Sequence, residues 1–188
     1  MNRQKLTSTF VALMMTACAF AVSLPPVTRK SPEFTISEPS RKTMLLSSFK
    51  GKVVVLEFFF LQSARCMHLA KTLDKLGGEM GNQGFQPLGV VFDPPKVRTS
   101  ADKLIPIFAG NYKLSFPIGY AQKEDVDTYL GRTGDDLLAI PQVVVIDRAG
   151  RIRAATGTHI DPKLEDENSL RTLIDGLLKE KPPANTHK

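Results

Sequence analysis

The chain reads as an α/β protein with a central mixed β-sheet flanked by helices on both faces. Three observations predict this. "VVVLEFFF" (Val53 to Phe60) is a continuous β-branched and aromatic run, the pattern of a central strand buried on both sides. Strand-like and helix-like segments then alternate through the middle of the chain. Finally, "AIPQVVVID" and "RIRAATG" meet at "RAG" as a hairpin, and an amphipathic stretch closes the domain. The resulting order is β-β-β-α-β-α-β-α-β-β-α. At 188 residues, with 42% apolar and 23% charged, the chain suits one domain with a real core.

The first 21 residues stand apart. "MNRQK" is a basic start, "FVALMMTACAFAV" an apolar run too short for a membrane span, and "AFA" a small-x-small site ending at Ala21. Residues 1–21 therefore read as a signal peptide, and the protein as exported, most simply to a bacterial periplasm. "MTAC" also resembles a lipoprotein box. Lipidation of Cys18, or an uncleaved signal, would tether the protein to a membrane. Cleavage removes Cys18 and lipidation consumes its thiol, so either leaves Cys66 as the one free thiol, with no internal disulfide.

Residues 22–30 read as a linker, within a Pro/Ser/Thr-rich tether that leads to a short edge strand near Phe34 to Ile36. "TMLLSSFKGK" supplies a second short strand and a turn before Val53 to Phe60. Ser63 is a good N-cap, and Cys66, Leu69, Ala70, Leu73 and Leu76 repeat at helical spacing after it. Gly77, Gly78 and Gly84 are expected to break the chain before "FQPLGVVFD", a second buried strand. "RTSADKLIPIFAGNY" has helical spacing interrupted or bent at Pro106. "FPIGY" is a short extended piece, and "KEDVDTYLG" a short helix ended by Gly131. The last helix, in "DENSLRTLIDGLLKE", is capped by Asp166 or Asn168, and residues 181–188 are expected to be a disordered tail. The folded domain thus spans 31–180.

Without residues 1–21 the chain keeps 23 basic against 19 acidic residues, a net +4. The basic residues are scattered, as at Arg29–Lys30, Arg41–Lys42, Lys96 and Arg98, with no aromatic-interleaved stripe, so a nucleic-acid partner is not indicated. No group of residues has metal-ligand spacing, and no cofactor is implied. "GGEMGNQG" follows a helix instead of opening one, so it is no phosphate loop.

Taken in order, "SPEFTI", "SFKGKVVVLEFFF", Ser63-x-x-Cys66, "GFQPLGVVFD" and "IPQVVVIDRAGRI" resemble the thioredoxin-like proteins of the TlpA type and the neighbouring alkyl hydroperoxide reductase/thiol-specific antioxidant (peroxiredoxin) group. The resemblance covers roughly residues 31–180. It implies a thioredoxin-like fold with an N-terminal β extension and a β-α insertion, and an oxidoreductase or antioxidant activity. It implies as partners a protein thiol or disulfide, or a peroxide, with an external thiol as reductant.

Four positions carry the implied site. TlpA-like proteins have C-x-x-C at the strand-to-helix junction; the attacking cysteine is Ser63 here, and the resolving cysteine is Cys66. The family's proline, typically cis, is Pro141, and its buried acid in the preceding strand is Glu57. A serine hydroxyl cannot attack a disulfide without a strong base, so the two-cysteine relay is unavailable. Peroxiredoxins carry T/S-x-x-C at the same junction, which "SARC" satisfies. They also have a proline where this chain has Phe59, and an arginine where it has Pro141.

Three readings of Cys66 follow: a buried core cysteine, a single-thiol redox centre, or a remnant in a binding module that uses the groove beside Pro141. The helix N-terminus and Arg65 favour a thiolate, whereas burial and a charged Glu57 oppose it. Glu57 itself is either buried, needing a partner or a proton, or placed at a wet edge of the sheet. His68 lies on a different helical face from Cys66, which disfavours a Cys–His pair.

Overall fold

The computed structural model describes residues 29–92, 100–133, 139–157, 159 and 161–181. The expected signal peptide with Cys18, the linker up to residue 28, Lys96, Arg98 and the tail from residue 182 lie outside these.

Among the described residues, eight strands form one mixed sheet. They are β1 (Arg29–Lys30), β2 (Thr35–Ser37), β3 (Thr43–Leu45), β4 (Val53–Phe59), β5 (Phe85–Val91), β6 (Ile118–Tyr120), β7 (Gln142–Ile146) and β8 (Arg151–Ala155), in the order β1-β8-β7-β4-β5-β6-β2-β3. The β4–β5 and β5–β6 pairs are parallel; the others run antiparallel. Every residue of β4 is buried, Glu57 included, as in a strand covered on both sides.

Among the described residues, four α-helices cover the sheet: α1 (Ala64–Met80), α2 (Ala101–Tyr112), α3 (Lys123–Leu130) and α4 (Glu167–Lys179). Alternation along β4 divides the core in two. Val53, Val55 and Phe59 face Leu69 and Leu73 of α1, Ile105 and Phe108 of α2, and Leu170 and Ile174 of α4. Val54, Leu56 and Phe58 face Val126 and Tyr129 of α3, with Phe34 and Ile36 of the N-terminal extension. Helices therefore lie on both faces.

Three expectations need correction. Gly77 and Gly78 do not break the chain, because α1 runs through both to Met80. Gly77 lies where a Cβ would come within 3.0 Å of Pro87 Cγ on β5, so its role is close packing. The break falls at Gly84, whose φ of +99° suits glycine. The strand near Phe34 is not an edge: β2 lies between β6 and β3, because β3 folds back on it in antiparallel register and takes the outer place. Arg29 and Lys30, within the stretch read as a linker, pair with Ile152 and Arg151 of β8. Of the two cap candidates for α4, Asp166 serves, its Oδ1 accepting from Ser169 N–H at 2.9 Å.

Candidate functional site

β4 ends at Phe59, and a short turn through Phe60 and Leu61 delivers the chain to α1. Ser63 adopts extended backbone angles and caps the helix, its Oγ accepting the Cys66 N–H at 3.3 Å while its carbonyl accepts the Met67 N–H at 3.0 Å. Cys66 is thereby fixed as the third residue of α1. It points into the core, with 0% exposure, within the cluster that holds Phe59, Leu69 and Val143. It is the free cysteine of the described residues.

The Ile140–Pro141 peptide is cis. β7 pairs with β4 in the register Phe58↔Gln142, which sets Pro141 at the end of β4 where α1 begins. Ile140 packs against the core cluster that contains Cys66. The Gln142 side chain ties down the approach to the strand, donating from Nε2 to the Ala139 carbonyl at 2.6 Å and the Gly157 carbonyl at 3.3 Å. The fold therefore brings Ser63, Cys66 and Pro141 to one end of the sheet.

Glu57 lies on the same face of β4 as Val55 and Phe59, beneath α1. It is buried at 0% exposure, which removes the wet-edge alternative. Among the described residues neither of its carboxylate oxygens has a hydrogen-bond partner. Burial, with a smaller contribution from the Glu165 charge, holds its pKa well above the usual carboxylate range. The neutral acid is the form such a site accommodates.

The thiol of Cys66 is pushed up to about 11, first by burial and then by the charge of Glu165 and, once it ionises, that of Glu57. Hydrogen bonds from the Ser63 side chain and the Phe60 backbone act in the other direction and do not outweigh them. At neutral pH such a thiol is ionised in about one molecule in ten thousand. The contest between helix terminus and burial is thus decided for burial.

Glu165 is the member of this site that sequence reasoning did not pick out. It follows the 3-10 turn Pro162–Leu164 and precedes Asp166, the cap of α4. Its Oε2 accepts from Arg65 Nε at 2.5 Å, while its Oε1 is buried without a partner among the described residues. Arg65, next in sequence to Cys66, is engaged by this carboxylate. No local signal marks Glu165, which is 100 positions from Arg65 in the chain. His68 is exposed on α1. Among the described residues no group of three or more His, Cys, Asp and Glu side chains is placed to hold a metal ion.

Comparison with known proteins bears on this arrangement. Residues 27–155 match the model of the AhpC/TSA family. A chloroplastic peroxiredoxin Q of Populus jackii is 24% identical over 145 residues, covering 76% of this chain. The match spans 65% of that relative's length, just under two thirds of it. A solved thiol:disulfide interchange protein of the thioredoxin family from Chlorobium tepidum superposes with a TM-score of 0.64 at 17% identity, covering 84% of this chain and 99% of that one. Another, from Bacteroides sp., gives 0.63 at 19% identity, covering 87% and 97%. At these identities the two structures establish the shared thioredoxin-like fold, while the family match extends over well over half of the sequence. The chain belongs to the AhpC/TSA family.

Proposed function

We propose that this protein is a thiol-based oxidoreductase that works through one sulfur, Cys66, after export. The observation that carries this reading is the position of that sulfur. It sits at the N-terminus of α1, whose cap Ser63 accepts the Cys66 N–H at 3.3 Å, in a chain of a redox family. The helix N-terminus favours an anionic sulfur once it forms.

The chemistry balances with a hydroperoxide and an outside thiol. The Cys66 thiolate attacks the peroxide oxygen; an S–O bond forms, the O–O bond breaks, and water or an alcohol leaves with the proton. Sulfur is oxidised to the sulfenic acid and the peroxide is reduced. An external thiol then displaces water to give a mixed disulfide, and a second one releases Cys66. With an external disulfide as substrate, the thiolate forms the mixed disulfide directly and expels one thiolate. Ser63 cannot resolve either intermediate, so the resolving thiol comes from another molecule. A thiol at about 11 makes the resting rate low and steeply dependent on pH.

Treating the native protein with stoichiometric hydrogen peroxide and a sulfenic-acid trap, followed by mass spectrometry, tests the reading. Trapped Cys66 is expected, increasing from pH 7 to pH 9 and absent in Cys66→Ser. A thiol that stays unmodified in the folded protein and is trapped only after unfolding would count against it.

The full burial of Cys66 favours a second reading, a thioredoxin-fold binding module without thiol chemistry, docking a partner along the Ala139 to Pro141 edge. The unreactive outcome of the same experiment selects it.

A further inference from the structure

At the opposite end of β4 from the thiol, three segments meet around a cleft of about 190 Å³. They are residues 30–33 of the N-terminal extension, the 3-10 turn Leu46–Phe49 with the residues that follow it, and the β7–β8 hairpin. β4 begins here at Val53 and ends at Phe59, so about 20 Å of strand separates the cleft from the helix that carries Cys66. The floor is formed by Leu46, Val54 and Ile146, all buried. Lys30, Lys50 and Lys52 line the cleft from two separate segments. Lys30 and Lys50 are exposed and, among the described residues, form no ion pair. Lys52 donates to Gln86 Oε1 at 3.0 Å, a neutral acceptor that leaves its charge unbalanced. Two carboxylates also line the cleft, and both are engaged by the protein's own donors. Glu33 Oε1 accepts the Phe34 and Ser47 N–H groups at 3.0 Å each, which holds the extension to the turn. Asp147 Oδ1 accepts the Ala149 and Arg151 N–H groups at 2.9 Å each, and its Oδ2 accepts from Arg153 Nη1 at 3.3 Å. The negative groups thus build the walls, while the ammonium groups are left to face a ligand.

We infer that this cleft binds a small organic phosphate monoester, with its apolar part against Leu46, Val54 and Ile146 and its phosphate among Lys30, Lys50 and Lys52. Size sets the apolar part: a cavity of about 150 Å³ holds a benzene ring, so this one takes a ring-sized group with the charged end at its mouth. Charge sets the other end. A phosphate monoester is close to a dianion at neutral pH, and lysine binds phosphate as a point charge. The lining holds no arginine, so no planar fork selects a carboxylate, and the anion with more charge is favoured by three ammonium groups. The site is separate from the chemistry proposed for Cys66 and needs no thiol.

Isothermal titration calorimetry of the full-length chain with phenyl phosphate tests this, with inorganic phosphate and phenol as the two halves of the probe. Saturable binding of phenyl phosphate is expected, tighter than that of either half and weaker when sodium chloride is raised from about 50 to about 300 mM. Each exposed ammonium contributes up to about fivefold, so Lys30→Gln combined with Lys50→Gln is expected to weaken binding about tenfold. Lys103→Gln, exposed on α2, should leave it unchanged. Ala149 lines the cleft, and Ala149→Phe should abolish binding by filling it without altering any charge. The lysine variants change exposed side chains and keep the inference testable if Ala149→Phe does not fold. Absence of saturable binding, equal affinity for inorganic phosphate, or unchanged affinity in the double lysine variant would each overturn the inference. The cleft is also set aside if phenyl phosphate fails to bind while phosphatidic acid vesicles sediment the wild type and not the double variant. The rim would then serve a membrane surface. Every arm reads binding alone, so none of these results depends on whether Cys66 reacts.

Discussion

Glu57 and Cys66 are both fully buried between β4 and α1, and ionisation of the carboxyl makes the thiol harder to ionise. Each has a pKa raised by burial above its ordinary value, so each makes folding costlier in its charged form.

A pH dependence of stability follows. The folded pKa of Glu57 lies well above the unfolded 4.5, so its contribution is complete below pH 4.5 and is lost as pH rises toward the folded value. Through that window one such group removes about 1.4 kcal/mol per pH unit. Cys66 behaves in the same way between its ordinary 9.0 and about 11. Denaturant midpoints measured from pH 4 to pH 9 are expected to decline in the wild type. In Glu57→Gln the decline over that range should be much shallower; an equally steep decline would show that the pH dependence has another source.

Ser63 caps α1, and its side chain favours the thiolate of Cys66. Ser63→Ala is expected to cost about 1 kcal/mol in chemical denaturation, the usual loss for a cap. The same change should slow Cys66 alkylation, because a bond favouring the thiolate is gone. Unaltered stability would mean that the cap contributes nothing here.

Ser63→Cys restores two thiols at the spacing used by C-x-x-C proteins. A 63–66 disulfide and measurable insulin reduction are expected in the folded variant. A folded protein that carries both thiols and reduces no insulin would argue against equating Ser63 with the attacking position.

The paired glycines in α1 offer a packing test. A Cβ at Gly78 meets nothing within 4 Å, so Gly78→Ala is expected to raise stability by about 0.5–1 kcal/mol through helix propensity alone. A Cβ at Gly77 meets Pro87 Cγ at 3.0 Å, so Gly77→Ala should give no such gain. Equal thermal shifts for the two variants would remove the packing argument.

Much of this architecture is legible in the chain because the deciding forces are local. Val53 to Phe60 announces a doubly covered strand by composition, and the Cys66, Leu69, Ala70, Leu73, Leu76 stripe announces the buried face of α1. The glycine pair misleads because a helix tolerates glycine when a neighbouring strand packs close, and Pro87 is far away in sequence. The N-terminal strand misleads in another way, since which strand takes the outer place depends on how β3 folds back.

The sequence by itself determined the order of elements from β2 onward and the cap at Ser63, both of which are properties of neighbouring residues. Tertiary structure decided the state of the Cys66 sulfur. The ionisation of Cys66 depends on what displaces water around it and on charges brought in from elsewhere, Glu57 from β4 and Glu165 from the approach to α4. Desolvation and Coulomb interactions act through space, so only the folded chain sets their balance.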